Sequence, residues 1–176
     1  MLELRHARAT DADAIASLTA DIQALHAQAL PHLFPAADAK TFPAEAVRGM
    51  FDNPDRVVLV ACDEGAIVGY ASAQVERREA TPFRYAMTFP YVQLMGVSVA
   101  ARRRGVGRAL VSALRSEAAE RGITSVLLDV WAFNEEARGF YEAVGFHPQR
   151  HIMALELGDG DGSLTRETTR TSREAR

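Results

Sequence analysis

The chain has 176 residues, 48% of them hydrophobic, and its 20 basic and 23 acidic side chains give a formal net charge of −3. This length predicts one domain, or one domain with a tail, with enough apolar residues for a sizeable core. The mildly acidic balance argues against a general affinity for nucleic acid or an anionic membrane, and the single cysteine, Cys62, excludes an intrachain disulfide and a cysteine-based metal cluster.

The first half of the chain predicts a short strand, two helices and a hairpin. Residues 2–5 alternate like a strand, and apolar residues at helical spacing then predict a helix that stops at Pro31. A short helix is expected from Ala44 to Met50. Two strands, 56–62 and 66–76, are joined by Asp63-Glu64-Gly65, which is a hairpin signal. The stretch 77–90 is polar at first and then carries apolar residues, and it is expected to be a mobile loop or a loop that enters the next strand.

The second half predicts strands that alternate with helices. The expected elements are a strand at 91–99, a helix at 105–121, a buried strand at 125–131, a helix at 134–143 and a last strand or pair of strands at 146–157. The composition then changes to Gly, Asp, Thr, Arg and Glu, so we expect residues 1–157 to form the domain. Residues 158–176 are expected to be a polar tail, disordered or ordered only by docking. Without a signal peptide or a stretch of roughly 20 apolar residues, the chain predicts a soluble, cytoplasmic protein.

Positive charge is concentrated in the middle of the chain. No acidic residue lies between Glu79 and Glu117, a stretch that holds six arginines, and removing these from the net −3 leaves −9 for the rest. Arg102, Arg103 and Arg104 precede a helix that begins at Gly105 and Gly107. A helix N-terminus binds phosphate, glycine lets a phosphate approach the backbone, and guanidinium groups add donors. The segment therefore predicts a diphosphate cradle.

Other interpretations of this segment are a solvated basic loop, a P-loop and a dinucleotide fingerprint. A P-loop would need Gly-Lys followed by Ser or Thr, which the chain lacks. A dinucleotide fingerprint would need a third small residue where Leu110 stands, and the five-residue connection 100–104 is too long for it.

Another phosphate-binding motif fits the segment better than the P-loop or the dinucleotide fingerprint. Residues 102–107 match the Arg/Gln-x-x-Gly-x-Gly/Ala motif of the GNAT superfamily of N-acetyltransferases. The downstream residues Asn134, Ala137, Phe140, Tyr141, Gly145 and Phe146 resemble that family's second signature, and Arg5, Ala7 and Asp11 resemble its N-terminal opening. The resemblance covers roughly residues 2–157. It implies a mixed α/β fold, in which a mostly antiparallel, twisted sheet of six to seven strands carries helices on both faces. Arg103 departs from the family, which often has glycine there.

The resemblance also implies roles for individual residues. Acetyl-CoA, as cosubstrate and without a metal, would contact the following residues: Val97, Val99, Arg102, Arg103, Arg104, Gly105, Gly107, Arg108, Asn134 and Tyr141. Tyr141 would be the general acid, although a tyrosine packed along the cofactor channel is the alternative. Asn134 would also be explained by helix capping alone. Gly96 is a candidate for the bulge that splays two strands apart, or for a close contact with a neighbouring side chain.

The general base is not evident. Gln93 occupies the position where many members of the family have glutamate, so Glu76 is the candidate base, with Glu79, His26 and His32 as further substitutes. Water-mediated deprotonation would need no base. The acceptor pocket is expected near residues 26–34, with His32, Phe34 and Gln93 as candidates.

These features predict an N-acetyltransferase that moves an acetyl group directly to the primary amine of a small molecule or peptide in a ternary complex. The alternatives are a non-catalytic acyl-CoA-binding or sensing domain and a nucleic-acid-binding module, against which the negative remainder of the chain argues. We expect neither nucleic acid nor membrane as partner. Homodimers are common in the family.

Overall fold

The structure is a computed structural model that describes residues 1–38 and 42–155. Its central element is a five-stranded sheet. Its strands are β1 (Glu3–His6), β2 (Arg56–Asp63), β3 (Ala66–Arg78), β4 (Met87–Val97) and β5 (Leu127–Leu128). They lie in chain order across the sheet. The first four strands pair antiparallel, whereas β5 pairs parallel to β4.

Helices pack on both faces of this sheet, and each face has its own core. The helices are α1 (Ala12–Ala29), α2 (Ala44–Met50), α3 (Val106–Glu120) and α4 (Glu135–Ala143). On one face, α1 and α2 bury Ile15 and Val47 against Val60. On the other face, Leu110 of α3 packs against residues of β2, β3 and β4. The predicted mixed α/β class with helices on both faces is therefore confirmed. Within the described ranges, no helix is both long and apolar enough to cross a membrane.

The stretch 77–90 is a loop only at 79–86, and both of its ends belong to strands. β3 continues to Arg78 and β4 begins at Met87, with Glu76 opposite Phe89 and Arg78 opposite Met87. Phe89 is fully buried and anchors this part of the ladder. Cross-strand pairing satisfies the backbone groups even where the side chains are polar, and this explains why the hairpin extends beyond the apolar residues.

The described residues contain five strands where six to seven were expected. β5 is only two residues long, and residues 146–155, expected to begin the last strand, form no strand. The large apolar residues of that segment, Ile152, Met153 and Leu155, are exposed, so neither pairing nor burial supports a strand there.

The chain divides into two compact units, 1–146 and 147–176. The first unit contains every helix and strand named above. The predicted domain boundary at residue 157 stays a prediction, and the predicted tail, 158–176, lies outside the described residues.

An ion pair joins β1 to the start of α1. Arg5 donates to both carboxylate oxygens of Asp11, at 2.7 and 3.0 Å, and the backbone N–H of Arg8 donates to the same carboxylate at 2.7 Å. These hydrogen bonds hold the pKa of Asp11 below its usual value, although burial of the carboxyl opposes them. The pair fixes the point at which α1 begins, and thereby the path of the helix over the sheet.

Candidate functional site

The N-terminus of α3 presents a row of backbone donors. Within the described residues, the N–H groups of residues 103–108 make no hydrogen bond, whereas that of Ala109 already bonds the carbonyl of Gly105 at 3.0 Å. Consecutive unpaired N–H groups at a helix N-terminus form a concave anion site, reinforced by the helix dipole. The predicted cradle therefore has the donors that a diphosphate needs.

The two glycines of the cradle are explained by different contacts. Gly105 precedes α3 with φ of +85°, a left-handed conformation that an L residue adopts only with strain. Gly107 has ordinary helical backbone, but a Cβ built there would lie 3.0 Å from Cζ of Phe140. The absence of a side chain at residue 107 therefore lets the Phe140 ring of α4 rest on the first turn of α3.

The arginines around this turn differ in their partners. Arg104 pairs with Asp63 at 2.9 Å, and Arg102 donates to the carbonyl of Val97 at 3.5 Å. Arg103 and Arg108 are exposed and make no ion pair with any other described residue. Arg103 has φ of +61°, which explains why glycine is common at this position of the family motif.

Strands β4 and β5 separate soon after they meet. Tyr91 pairs with Leu127 and Val92 with Leu128, after which β5 ends but β4 continues to Val97. On its other side, β4 stays paired with β3 as far as Val97 opposite Gly69. The β4 edge at 93–97 therefore lacks a strand partner in the described part of the chain, and it leads to the connection 98–105 that carries the cradle.

The β-bulge in β4 lies at Gln93. Ser72 pairs with Leu94 and Ala73 with Val92, so Gln93 is the extra residue and its side chain is exposed. Gly96, the residue that the sequence suggested for the bulge, is regularly paired with Tyr70, so that prediction is wrong and the alternative of a close side-chain contact holds. A Cβ at residue 96 would lie 2.9 Å from Cδ1 of Ile22, so this glycine admits a side chain of α1.

The helix α4 carries Tyr141 next to Phe140, the residue that contacts Gly107 of the cradle. Asn134 caps the helix, since its side-chain oxygen accepts the N–H of Ala137 at 3.0 Å. At the other end, Gly145 has φ of +101° and the N–H of Phe146 bonds the carbonyl of Tyr141 at 3.0 Å, as in a Schellman motif. This turn brings the Phe146 ring to 5.5 Å from that of Tyr141.

Tyr141 is largely enclosed by neighbouring rings. The Phe140 ring lies 5.2 Å away, and burial raises the pKa of Tyr141 to about 12. Its hydroxyl makes no hydrogen bond within the described ranges. The phenol therefore stays protonated at neutral pH, and its O–H remains available to an acceptor from outside the chain.

The remaining candidates occupy separate places. Glu76 pairs with Arg78 at 3.1 Å and lies opposite Phe89, about 13 Å along β4 from Gln93. The structure therefore does not bring Glu76 to the free edge of β4. Glu79 and His32 are exposed. Phe34 belongs to a ring cluster at the end of α1, in which Phe133 is a member that the sequence did not single out.

Comparisons with known proteins agree with this architecture. Residues 19–146 match the acetyltransferase (GNAT) family. The chain is 31% identical over 124 residues to the [ribosomal protein bS18]-alanine N-acetyltransferase of Escherichia coli K12, covering 70% of this chain and 72% of the relative. The tetramutant of the BH1408 protein from Bacillus halodurans superposes with a TM-score of 0.84 at 24% identity, over 88% of this chain and 99% of that one. AAC(6')-Iy in complex with the bisubstrate analogue CoA-S-monomethyl-acetylneamine gives 0.68 at 16% identity, over 89% and 97%. The chain therefore belongs to the GNAT family and is an acetyltransferase.

Proposed function

We propose that the chain transfers the acetyl group of acetyl-CoA directly to a primary amine in a ternary complex. The observation that carries this proposal is the run of unpaired N–H groups at 103–108, which lies at the end of the β4 edge that has no strand partner. The N–H groups suit a diphosphate, and the open edge suits an extended amide-containing arm that adds to it as a strand would.

We call the cradle and the unpaired β4 edge at 93–97 together the groove. The residues around this groove have distinct tasks in the proposed reaction. Acetyl-CoA supplies the acetyl group as a thioester. The cradle and the exposed Arg103 and Arg108 hold the diphosphate end, and the backbone at 93–97 aligns the arm. Tyr141 holds the proton that the departing thiolate receives, because burial keeps its hydroxyl protonated. Asn134 retains a side-chain amide N–H₂ for the ligand while its oxygen caps α4.

The amine acceptor is a small molecule or a peptide. The relative from Escherichia coli is named for an alanine of a ribosomal protein, which makes a peptide N-terminus one acceptor to test. Cys62 is buried in β2, so an acyl-enzyme on this chain's only cysteine is not part of the proposal.

A thiol-release assay tests the proposed function. Purified protein and acetyl-CoA are mixed with a panel of hexylamine, spermidine, neamine, free lysine and a peptide that begins with alanine. Free CoA is measured with a thiol reagent and the product by mass spectrometry. We expect amine-dependent CoA release and an acetylated amine in at least one reaction. Tight CoA binding without amine-dependent release from any panel member would instead support the non-catalytic acyl-CoA-binding alternative.

Arg103→Gly is expected to change stability and CoA affinity in opposite directions. Glycine relieves the left-handed strain at φ of +61°, so the free energy of unfolding should rise by about 1 kcal/mol. Loss of the guanidinium should weaken CoA binding about 10-fold, the effect of one charge-assisted hydrogen bond. Urea unfolding and calorimetric titration with CoA measure the two quantities. Unchanged affinity would remove Arg103 from the proposed contacts.

A further inference from the structure

Four aromatic rings form a cluster that joins the end of α1 to the segment after β5. His26 lies 5.0 Å from Phe34 and 5.6 Å from Phe133, and Trp131 lies 5.3 Å from Phe34 and 6.5 Å from Phe133, measured between ring centroids. The cluster is open to solvent, because Trp131 is 44% exposed. We call these four residues the ring cluster.

The ring cluster spans the separation of β4 and β5. On one side, α1 is fixed to β4 because Ile22 lies over Gly96, and His26 follows one helical turn, about 6 Å, further along. On the other side, Trp131 follows three residues after Leu128, the last residue that pairs with β4. The rings therefore lie over the gap into which the unpaired edge of β4 opens.

The hydrogen bond of His26 determines its tautomer. Nδ1 lies 2.7 Å from the carbonyl oxygen of Ile22, which can only accept, so Nδ1 carries the hydrogen. In the neutral imidazole, Nε2 is then the basic nitrogen, and no residue within the described ranges bonds to it. His26 therefore presents a fixed, unoccupied proton acceptor within a group of aromatic rings.

We propose that the ring cluster binds the ammonium group of the acceptor and that Nε2 of His26 takes its proton. The proposal rests on the proposed function and adds to it the base and the group of the acceptor that is bound, a primary ammonium. The negative faces of the rings of Phe34, Trp131 and Phe133 attract a cation.

The proposed step balances in protons and electrons. The ammonium loses a proton to Nε2, and the lone pair that is released forms the new N–C bond to the thioester carbonyl carbon. The C–S bond breaks, and its electron pair leaves on the sulfur, which takes the proton of the Tyr141 hydroxyl. The amine nitrogen loses its second proton to water. The imidazolium then returns its proton to water and the tyrosinate regains one, which restores both side chains.

Ligand binding at the ring cluster can be measured by tryptophan fluorescence, because Trp131 is the only tryptophan in the chain. Titration of the wild-type protein with hexylammonium chloride is expected to change the tryptophan fluorescence saturably, and Phe34→Ala should weaken the apparent affinity about 5-fold. This binding measurement needs no turnover. The absence of a saturable change would overturn the ring cluster as an ammonium site, whether or not the protein acetylates amines.

His26→Phe separates proton transfer from packing, because it keeps a ring between Phe34 and Phe133 but has no Nε2. We expect kcat with an amine to fall about 100-fold, with CoA affinity unchanged. His26→Ala should fall similarly and regain part of its activity when imidazole is added. His6→Phe is the matched control, since His6 is the last residue of β1, is exposed and bonds Glu117 of α3. We expect that control to keep wild-type kcat.

The outcomes distinguish the two proposals. An active wild type with equally active His26→Phe would overturn the role of His26 and leave the proposed function intact. An inactive wild type with normal CoA binding would overturn the proposed function, and with it the proton transfer. If His26→Phe unfolds, imidazole rescue of His26→Ala decides the question, and the absence of rescue in a folded His26→Ala protein counts against the base.

Discussion

Tyr141→Phe is expected to lower kcat about 100-fold and to leave the KM for acetyl-CoA within about twofold. The substitution removes only the hydroxyl, and the ring keeps its neighbours Phe140 and Phe146 at 5.2 and 5.5 Å. Since that hydroxyl bonds to no other described residue, no structural hydrogen bond is lost. Steady-state thiol release at saturating amine gives kcat, and the melting temperature should not change by more than a few degrees.

A phenol elsewhere on the surface provides the matched control for this substitution. Tyr85 is 92% exposed, at the tip of the β3–β4 hairpin, so Tyr85→Phe removes an equivalent hydroxyl away from the groove. We expect Tyr85→Phe to keep wild-type kcat. A Tyr141→Phe protein with the same kcat as this control would show that Tyr141 only packs beside the groove.

The pKa of Tyr141 also constrains the pH profile. Burial raises it to about 12, so the hydroxyl keeps its proton throughout the working range, and kcat should show no loss from Tyr141 ionisation below about pH 10. Because the folded-state pKa exceeds the unfolded value of 10.0, the resulting stabilisation is complete below pH 10 and is lost as the pH rises through 12. Tyrosinate absorbance of wild type and Tyr141→Phe follows this ionisation directly. A titration step near pH 9 that disappears in the variant would contradict the assignment.

Local patterns were sufficient to predict the cradle and the helices. The observed α3 begins one residue after its predicted start at Gly105 and ends one before its predicted end, and α2 has its predicted bounds. These features depend on neighbouring residues: a helical apolar period, a glycine at each end and an arginine-rich connection. The Asn134 cap and the Gly145 turn are equally local, and the observed α4 begins one residue after its predicted start at Asn134 and has its predicted end at Ala143.

Contacts between distant segments could not be predicted in the same way. The bulge at Gln93 depends on the register of β3, and the space at Gly96 is required by Ile22 of α1. The ring cluster likewise needs α1 and the segment after β5 to meet, so Phe133 carried no signal beyond its being aromatic. Residues 146–155 show the opposite error, because apolar residues predicted a strand that has no partner. Side-chain patterns indicate which residues suit an element, whereas pairing partners decide whether it forms.

Gly107→Leu is expected to weaken CoA binding at least about 10-fold and to lower the free energy of unfolding by about 1–3 kcal/mol. A Cβ at residue 107 would already lie 3.0 Å from Cζ of Phe140, so a leucine must push α4 away from the first turn of α3. Tyr141 and Asn134 move with α4, and kcat should therefore fall together with affinity. Calorimetric titration with CoA, urea unfolding and thiol release measure the three effects.

Further variants separate this packing role from the role that the sequence predicted, close approach of a phosphate to residue 107. Gly139 lies within α4 with no atom within 4 Å of a built Cβ, so Gly139→Ala should keep affinity and kcat, and should not lower stability. The smaller change Gly107→Ala is then made alone and together with Phe140→Leu, which removes the ring that the new Cβ meets. If packing is the reason for the glycine, Phe140→Leu should suppress most of the loss in affinity caused by Gly107→Ala. If the two losses simply add, the methyl group obstructs the ligand itself, and Gly107 is part of the surface against which the phosphate rests.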